Sequence, residues 1–208
     1  MLAANVCASE FLEFNEQPAL YRIHEGPSAD KLEKLRVFLA EFGLDLGGGE
    51  DPATSDFARL IERIRTRPDR QLLQTVMLRS MRQAMYCPDN VGHFGLAYEA
   101  YTHFTSPIRR YPDLLVHRAI KAVLARQNGR HNKKAEALEA LDLDEVGAHC
   151  SATERRADEA TRDVEAWLKC FFMKERIGEE FEGSVSAAVP FGIFVTLDDV
   201  FVDGLVHI

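Results

Sequence analysis

The sequence lacks the features that mark membrane-embedded and secreted proteins. It contains no run of roughly 18 or more apolar residues, so we expect no membrane span. Residues 1–4 provide neither a basic leader nor an apolar stretch before a cleavage site, so we expect no secretion. The four cysteines form no CxxC pair, and we interpret them as reduced thiols of a cytoplasmic protein.

Several signatures of phosphate and metal binding are also missing. Three consecutive glycines at 47–49 are not followed by a helix with Lys-Ser or Lys-Thr, so they predict a flexible turn and not a phosphate loop. His93, His103 and His117 lack the HxxxH spacing of a zinc site, and structural roles are the better interpretation. No segment with clustered aspartates is present.

Charge is unevenly distributed along the chain. The formal net charge of −8 argues against a nonspecific coat for nucleic acid, because phosphates would be repelled at long range. Residues 101–130 reverse this balance, since Asp113 is their only acidic residue. The basic residues of this segment are Arg109, Arg110, Arg118, Lys121, Arg126 and Arg130. The pattern is typical of a phosphate-binding surface or of an ordinary solvated helix face.

The spacing of apolar residues predicts helices through most of the chain. Helices are expected over residues 1–12 and after the capping residues Ser28, Thr54 and Asp69. The last two helices have the lengths of a helix-turn-helix, but packing explains their apolar positions, so we expect no DNA partner. Polar residues over 127–141 predict a mobile connection.

The last third of the sequence changes period once. Asp142 and Glu145 have the spacing of a capping box, and a helical pattern then continues to Arg176. A helix of about 30 residues would be roughly 45 Å long. After Gly178 the pattern alternates, which predicts about three short strands. Turns are expected at Gly183, Pro190, Asp198-Asp199 and Asp203-Gly204.

Residues 93–113 combine imidazoles, aromatic rings, hydroxyls and two adjacent guanidinium groups ahead of an apolar helix. Ser106 suits an N-cap and Pro107 the first helical position, while Pro112 predicts a break and a second helix start. An interrupted helix start exposes unpaired amides and suits a phosphate. The polar residues around it are Thr105, Ser106, Arg109 and Arg110.

These residues also carry a resemblance to a known family. The run HFGLAYEAYTHFTSPIRRYPDLLVHRAI (93–120) resembles the signature near the carboxyl end of the catalytic RNB domain of ribonuclease II and R exoribonucleases. The resemblance extends through MLAANVCA and SATERRADEATRDVEAWLKC to essentially the whole chain. GSVSAAVPFGIFVTL followed by DGLVHI is similar to the start of an OB-fold RNA-binding repeat.

The resemblance implies a mainly α fold followed by a β module. Residues 1–176 are expected to be the helical carboxyl-terminal half of an α+β catalytic domain, and residues 177–208 a truncated all-β OB-fold module. An OB barrel needs about five strands. With about three present, we expect exposed strand edges that pair with another copy of the chain.

The resemblance also implies a function for the parent protein. It would be a processive 3′-to-5′ exoribonuclease that degrades RNA from a single-stranded 3′ end to nucleoside 5′-monophosphates. Mg²⁺, held by aspartates in a segment before Met1, would assist hydrolysis. We therefore expect no Mg²⁺ and no activity in this chain alone. A noncatalytic RNA-binding or scaffold protein built from the same parts remains the alternative.

Arg109 is the predicted catalytic residue. The resemblance places it at the scissile phosphate, where a planar guanidinium binds two oxygens and neutralises developing charge. Without the resemblance, a surface or helix-end role is preferred. The predicted RNA-binding residues are Thr105, Ser106, Arg110, Tyr111, Phe191, Phe194 and His207.

Purely structural roles are the alternative for several of these residues. Arg110 could form an ion pair with Asp113 or Glu99, and capping alone explains Ser106. The rings of Tyr98, Tyr101 and Phe104 could stack on bases, although core packing is the default interpretation.

Overall fold

The computed structural model of the chain describes residues 1–130 and 140–208. The described chain divides into two compact units, Met1–Thr153 and Glu154–Ile208. The mobile connection predicted for 127–141 lies largely outside the described residues. The expected domain boundary between residues 176 and 177 remains a prediction.

Six helices are described, and the predicted helical character of the chain is confirmed. They are α1 (Leu2–Phe14), α2 (Ala29–Glu41), α3 (Thr54–Ile64), α4 (Arg70–Ser80), α5 (Tyr111–Gln127) and α6 (Leu143–Met173). Short 3-10 helices occupy Phe94–Leu96 and Lys174–Arg176. Among the helices described, none is both long and apolar enough to cross a bilayer.

Two of the three predicted helix caps are correct. Ser28 and Asp69 are the N-caps of α2 and α4. The prediction for Thr54 is wrong, because Ala53 is the N-cap of α3 and its N–H donates to the Asp56 carboxylate at 2.8 Å. The Thr54 hydroxyl instead donates to a backbone carbonyl of the Phe94–Leu96 turn.

Two large hydrophobic clusters and a small one around Tyr21–Ile23 form the described core of Met1–Thr153. Leu32, Leu35 and Leu39 of α2 lie on one face at helical spacing and pack against α3 and α4. The second cluster joins α1 and α5 to the start of α6, where Leu12 and Val116 are fully buried. This second cluster holds the helix start that follows the arginine pair.

A two-stranded sheet holds the segment that leads to α5. β1 (Tyr21–Ile23) and β2 (Met85–Cys87) are antiparallel, and β1 lies within the extended stretch predicted from sequence. The Arg22 N–H donates to the carbonyl of Tyr101 at 2.8 Å. The backbone of the 93–113 segment is thereby connected to the sheet.

Helix α6 has 31 residues, which confirms the predicted long helix. At 1.5 Å per residue it is about 46 Å long. The Asp142 carboxylate accepts the N–H groups of Asp144 and Glu145, both at 3.1 Å, so Asp142 caps the helix as predicted. Ser151 accepts a hydrogen bond of 2.9 Å from the Tyr86 N–H, which joins β2 to α6.

The unit Glu154–Ile208 ends in an antiparallel sheet of three described strands. They are β3 (Gly183–Val189), β4 (Gly192–Leu197) and β5 (Asp203–His207), in that order. The turns predicted at Pro190 and Asp198-Asp199 are confirmed. Those predicted at Gly183 and Asp203-Gly204 are wrong, because Gly183 pairs with Leu197 and Asp203 with Thr196 inside the sheet.

The four cysteines are free thiols, as the absence of a CxxC pair predicted. Cys7 and Cys170 are exposed, Cys87 is half-buried and Cys150 is buried in the cluster formed by α1, α5 and α6.

Candidate phosphate-binding site

A tight turn at residues 106–110 immediately precedes α5. The Ser106 carbonyl oxygen accepts the N–H of Arg109 at 3.3 Å and the N–H of Arg110 at 3.1 Å. Helix α5 then starts at Tyr111, with Pro112 in its first turn, where a missing N–H costs no hydrogen bond. The predicted helix start at Pro112 is confirmed to within one residue. The prediction that Ser106 caps a first helical turn beginning at Pro107 is wrong, because residues 107–109 form only a turn and Arg110 is the N-cap of α5.

Asp113 connects this turn to α5. Its Oδ1 atom accepts the Ser106 N–H at 2.7 Å and the Nη2–H of Arg110 at 2.8 Å. The Asp113 side chain is fully buried, whereas 19% of the Arg110 side chain is exposed. The alternative interpretation of Arg110, an ion pair with Asp113, is therefore confirmed.

The two adjacent arginines have different environments. Arg109 is exposed and forms no ion pair with any described residue, although its backbone N–H is held by Ser106. Ile108 at the tip of the turn is fully exposed, and Tyr111 exposes 45% of its surface. A phosphate can therefore reach the Arg109 guanidinium, while the charge of Arg110 is balanced inside the fold.

The two hydroxyl candidates lie at the start of the same turn. Thr105 directly precedes the turn, Ser106 is its first residue, and both are half-buried. Thr105, Ser106, Arg109 and Tyr111 are thus neighbours along the chain at the start of α5, and each is at least partly exposed. Such a set of hydroxyl groups and one guanidinium has the donors that a phosphodiester needs.

The aromatic residues before the turn are mainly structural, as the core-packing interpretation predicted. Tyr101 is buried, and its hydroxyl oxygen accepts a hydrogen bond of 2.8 Å from Asn5 Nδ2. Phe104 packs against the core cluster and stacks on His117 with ring centroids 4.2 Å apart. Tyr98 stacks on Tyr101 at 5.9 Å.

His93, His103 and His117 each have a hydrogen-bond partner within the protein. His93 Nδ1 accepts the Leu96 N–H at 3.2 Å, and His103 Nδ1 lies 2.9 Å from the Tyr86 hydroxyl. His117 Nε2 lies 2.9 Å from the Phe104 carbonyl oxygen and donates to it. These contacts agree with the predicted structural roles.

Burial keeps two of the imidazoles neutral near pH 7. It lowers the pKa of His93 to about 4, and the neighbouring His24 contributes in the same direction. It also lowers the pKa of His103 to about 4, where the positive charge of Arg110 contributes further and Asp113 opposes it. The His103 ring therefore lies within the field of the arginine–aspartate pair.

The predicted RNA-binding residues of the β module form a separate group within Glu154–Ile208. The Phe191 and His207 rings lie 6.4 Å apart, and Phe191 is half-exposed. Gly192 pairs with His207, and two residues along β4 Phe194 pairs with Leu205. Phe194 and His207 therefore share one face of the sheet.

The described residues do not fit the magnesium ion that the resemblance implies. Mg²⁺ requires about six oxygen ligands in near-ideal octahedral geometry. No group of three or more His, Cys, Asp or Glu side chains in the described part of the chain could hold a metal ion. We therefore assign no reaction step of this chain to a metal.

Two structural features of the site escaped the sequence analysis. Asn5 is a buried polar residue whose Nδ2 reaches Tyr101 and whose Oδ1 accepts the Phe104 N–H at 3.1 Å. The sequence signal for this buried role was that Asn5 lies on the same face of α1 as the apolar residue Leu12. The bond from the Ser106 N–H to Asp113 had no comparable signal, because it depends on backbone geometry.

Comparison with known proteins supports the family resemblance. Residues 1–126 match the family model of the RNB domain. The whole chain is 51% identical to ribonuclease R of Escherichia coli K12, of which it covers 26%. It is also 51% identical to ribonuclease R of Vibrio cholerae, again with 26% of that protein covered. The chain thus spans about a quarter of the length of these relatives.

Solved structures show the same relationship. RNase R of Mycoplasma genitalium, in complex with ribose methylated single-stranded RNA, matches the whole chain with a TM-score of 0.92 and 28% identity. The match covers 32% of that chain. Yeast Ssd1, a pseudonuclease, shares the fold with a TM-score of 0.74 at 23% identity, over 99% of this chain and 25% of Ssd1. The chain belongs to the RNB domain family, and its relatives in that family are ribonuclease R proteins.

Proposed function

We propose that the natural protein containing this chain is a processive 3′-to-5′ exoribonuclease of the cytoplasm. It binds the single-stranded 3′ end of RNA and releases nucleoside 5′-monophosphates with the assistance of Mg²⁺. The RNB domain match and the ribonuclease R relatives support the ribonuclease class. Direction, products, processivity and the metal rest on the family resemblance.

The exposed guanidinium of Arg109 is the observation that carries this proposal. It projects from a turn in which both the carbonyl oxygen and the N–H of Ser106 are hydrogen-bonded. The Arg109 side chain itself has no ion-pair partner among the described residues. Two N–H groups of one guanidinium can bind two oxygens of a phosphodiester. Arg109 therefore stabilises the charge that develops on the scissile phosphate.

Other residues of the turn bind the RNA chain without taking part in bond cleavage. The hydroxyls of Thr105 and Ser106 donate to phosphate oxygens, and the half-exposed Tyr111 ring lines the path of the strand. The sequence-based prediction that Arg110 also lines this path competes with its observed ion pair to Asp113, and experiment can separate the two roles.

The β module contributes an independent RNA contact. We assign it to an OB-fold repeat in which Phe191, Phe194 and His207 stack on bases. Base–aromatic stacking contributes about 1–3 kcal/mol per base. In this sheet β3 and β5 each pair with one described strand, β4, and their free edges are candidates for pairing with another copy of the chain.

Replacement of Arg109 tests the catalytic assignment. The protein produced from the complete natural gene should hydrolyse RNA with Mg²⁺, and Arg109→Ala should reduce kcat on the order of 100-fold or more with a much smaller change in RNA affinity. Arg70→Ala is the matched control, because Arg70 is an exposed arginine at the start of α4. Equal losses of kcat and RNA affinity would show that Arg109 only binds the RNA backbone and does not act in catalysis.

The fold of Ssd1, a pseudonuclease, favours one second candidate function. A noncatalytic RNA-binding or scaffold protein would use the same turn to bind RNA without cleaving it. Purified protein from the complete gene distinguishes the two, since release of mononucleotides requires an enzyme. The 208 residues alone are expected to release none, because the resemblance places the metal-binding aspartates outside them.

A further inference from the structure

The arginine pair at the site is supported by an unusual carboxylate. Asp113 is fully buried, and both of its hydrogen bonds converge on Oδ1. Its Oδ2 atom and the Nε atom of Arg110 are buried with no hydrogen-bond partner among the described residues. This pair is therefore incompletely satisfied on both sides.

Such a pair contributes little to the stability of a fold. Burying two charges is costly, and well-packed apolar residues of similar volume often serve at least as well. The unpaired Oδ2 and Nε atoms add to that cost. A role at the neighbouring site explains why Asp113 occupies a position that costs stability.

The geometry identifies that role. Ser106 accepts the N–H groups of Arg109 and Arg110, and its own N–H donates to Asp113. Asp113 lies in the first turn of α5, whose Leu115 and Val116 are buried in the core. The backbone of Arg109 is thus connected to the core through Ser106 and Asp113, while its side chain stays exposed.

We propose that Asp113 is a positioning residue that holds the Ser106–Arg109 turn and neutralises Arg110, so that the scissile phosphate meets a single oriented guanidinium, that of Arg109. This inference rests on the proposed function of Arg109. Two adjacent unpaired guanidiniums would let a phosphodiester bind in two registers, of which one is unproductive. Pairing Arg110 inside the fold removes the second register.

A double-mutant cycle with Arg109 tests the proposal in the protein produced from the complete natural gene. Asp113→Asn keeps the shape of the side chain and an acceptor oxygen but removes the charge. It should lower kcat on the order of 10- to 100-fold with KM near that of the wild type, as expected for a displaced catalytic group. In the Arg109→Ala background the same substitution should lower kcat by less than about twofold.

The cycle separates positioning from general structural damage. Damage unrelated to Arg109 would reduce kcat by the same factor in both backgrounds, and that result would overturn the proposal. An unchanged kcat in the single variant, with wild-type protein active and Arg109→Ala strongly impaired, would also overturn it. Absence of RNA hydrolysis by the wild-type protein would instead refute the proposed function itself.

A second variant covers the case in which Asp113→Asn does not fold. The combination Asp113→Asn with Arg110→Gln replaces the ion pair by two neutral amides that can hydrogen-bond, so no unpaired charge is buried. The plot of log Kd for single-stranded RNA against log salt should keep the wild-type slope, because Arg110 contacts no phosphate. A slope reduced by about 0.7 would show that Arg110 makes a phosphate contact and would overturn the proposal.

Discussion

Asn5 Nδ2 donates a hydrogen bond of 2.8 Å to the hydroxyl oxygen of Tyr101, which lies 96 residues later in the chain. The Oδ1 atom of the same side chain accepts the Phe104 N–H at 3.1 Å. One amide of α1 therefore holds two points of the segment that leads to the Ser106–Arg110 turn. The contact connects the first helix of the chain to the candidate site.

Replacement of Asn5 by alanine should destabilise Met1–Thr153. The Tyr101 hydroxyl and the Phe104 N–H would lose their partner in a buried region, so we expect the free energy of unfolding to fall by about 2–3 kcal/mol. Urea unfolding measures the change. Asn128→Ala is the matched control, because Asn128 is exposed and its side-chain amide donates to the Leu124 carbonyl within its own helix end. Its effect should stay within about 0.5 kcal/mol. Equal effects of the two substitutions would contradict the structural role of Asn5.

Gly147 of α6 should not tolerate a methyl group. A Cβ atom there would lie 2.8 Å from the Tyr86 carbonyl oxygen and 3.2 Å from Leu20 Cδ2. Gly147→Ala improves helix propensity by about 1 kcal/mol, yet the contact with backbone should outweigh that gain and leave a net loss of stability. Thermal unfolding checks the sign.

Gly204→Ala is the matched control for Gly147, since a Cβ at Gly204 would have no atom within 4 Å. We expect it to leave the unfolding temperature within about a degree or two of the wild-type value. A stabilising effect of Gly147→Ala would show that α6 and β2 lie farther apart than described.

Acidification should weaken the fold through His93 and His103. Their pKa values are about 4 in the folded chain, below the ordinary value of 6.5. Between these values the unfolded chain binds more protons than the folded chain, so the free energy of unfolding falls as the pH falls from about 6.5 toward 4. This part of the stability is fully present above pH 6.5.

NMR titration of the imidazole signals and urea unfolding at several pH values test this prediction. His103→Asn should make the stability less dependent on pH over that interval, because one group with a lowered pKa is removed. Titration of both signals near pH 6.5 in the folded protein would contradict the burial that causes the shift.

Phe191 should contribute to RNA binding if the β module is an OB-fold repeat. Phe191→Ala should weaken binding of single-stranded RNA by about 1–3 kcal/mol through lost stacking. Phe201→Ala is the control, because Phe201 is also exposed but lies in the turn between β4 and β5. Fluorescence anisotropy with labelled RNA measures both affinities, and equal losses would argue against a specific platform.

Features that depend on neighbouring residues in the chain were predictable. The long helix α6, the caps at Ser28 and Asp69 and the helix start next to Pro112 follow from local periodicity and backbone chemistry. The RNB signature likewise lies in one continuous run, 93–120. Local signals of this kind do not require knowledge of the fold.

Predictions that depend on tertiary or strand pairing were less accurate. Asp203-Gly204 has the composition of a turn, but pairing with β4 places both residues inside β5. Thr54 has the chemistry of a helix cap, but its hydroxyl finds a carbonyl 40 residues away and Ala53 takes the cap position. In both cases a contact from elsewhere in the chain outweighed the local preference.

The sequence by itself determined the family, the helical character and the position of two adjacent arginines directly before a helix start. Tertiary structure decided which arginine remains available to a ligand. Arg110 is paired with Asp113 and Arg109 is exposed, although both side chains have the same chemistry. The reason is that α5 buries Asp113 completely, and a buried carboxylate requires a nearby cation, whose identity depends on the geometry of the turn.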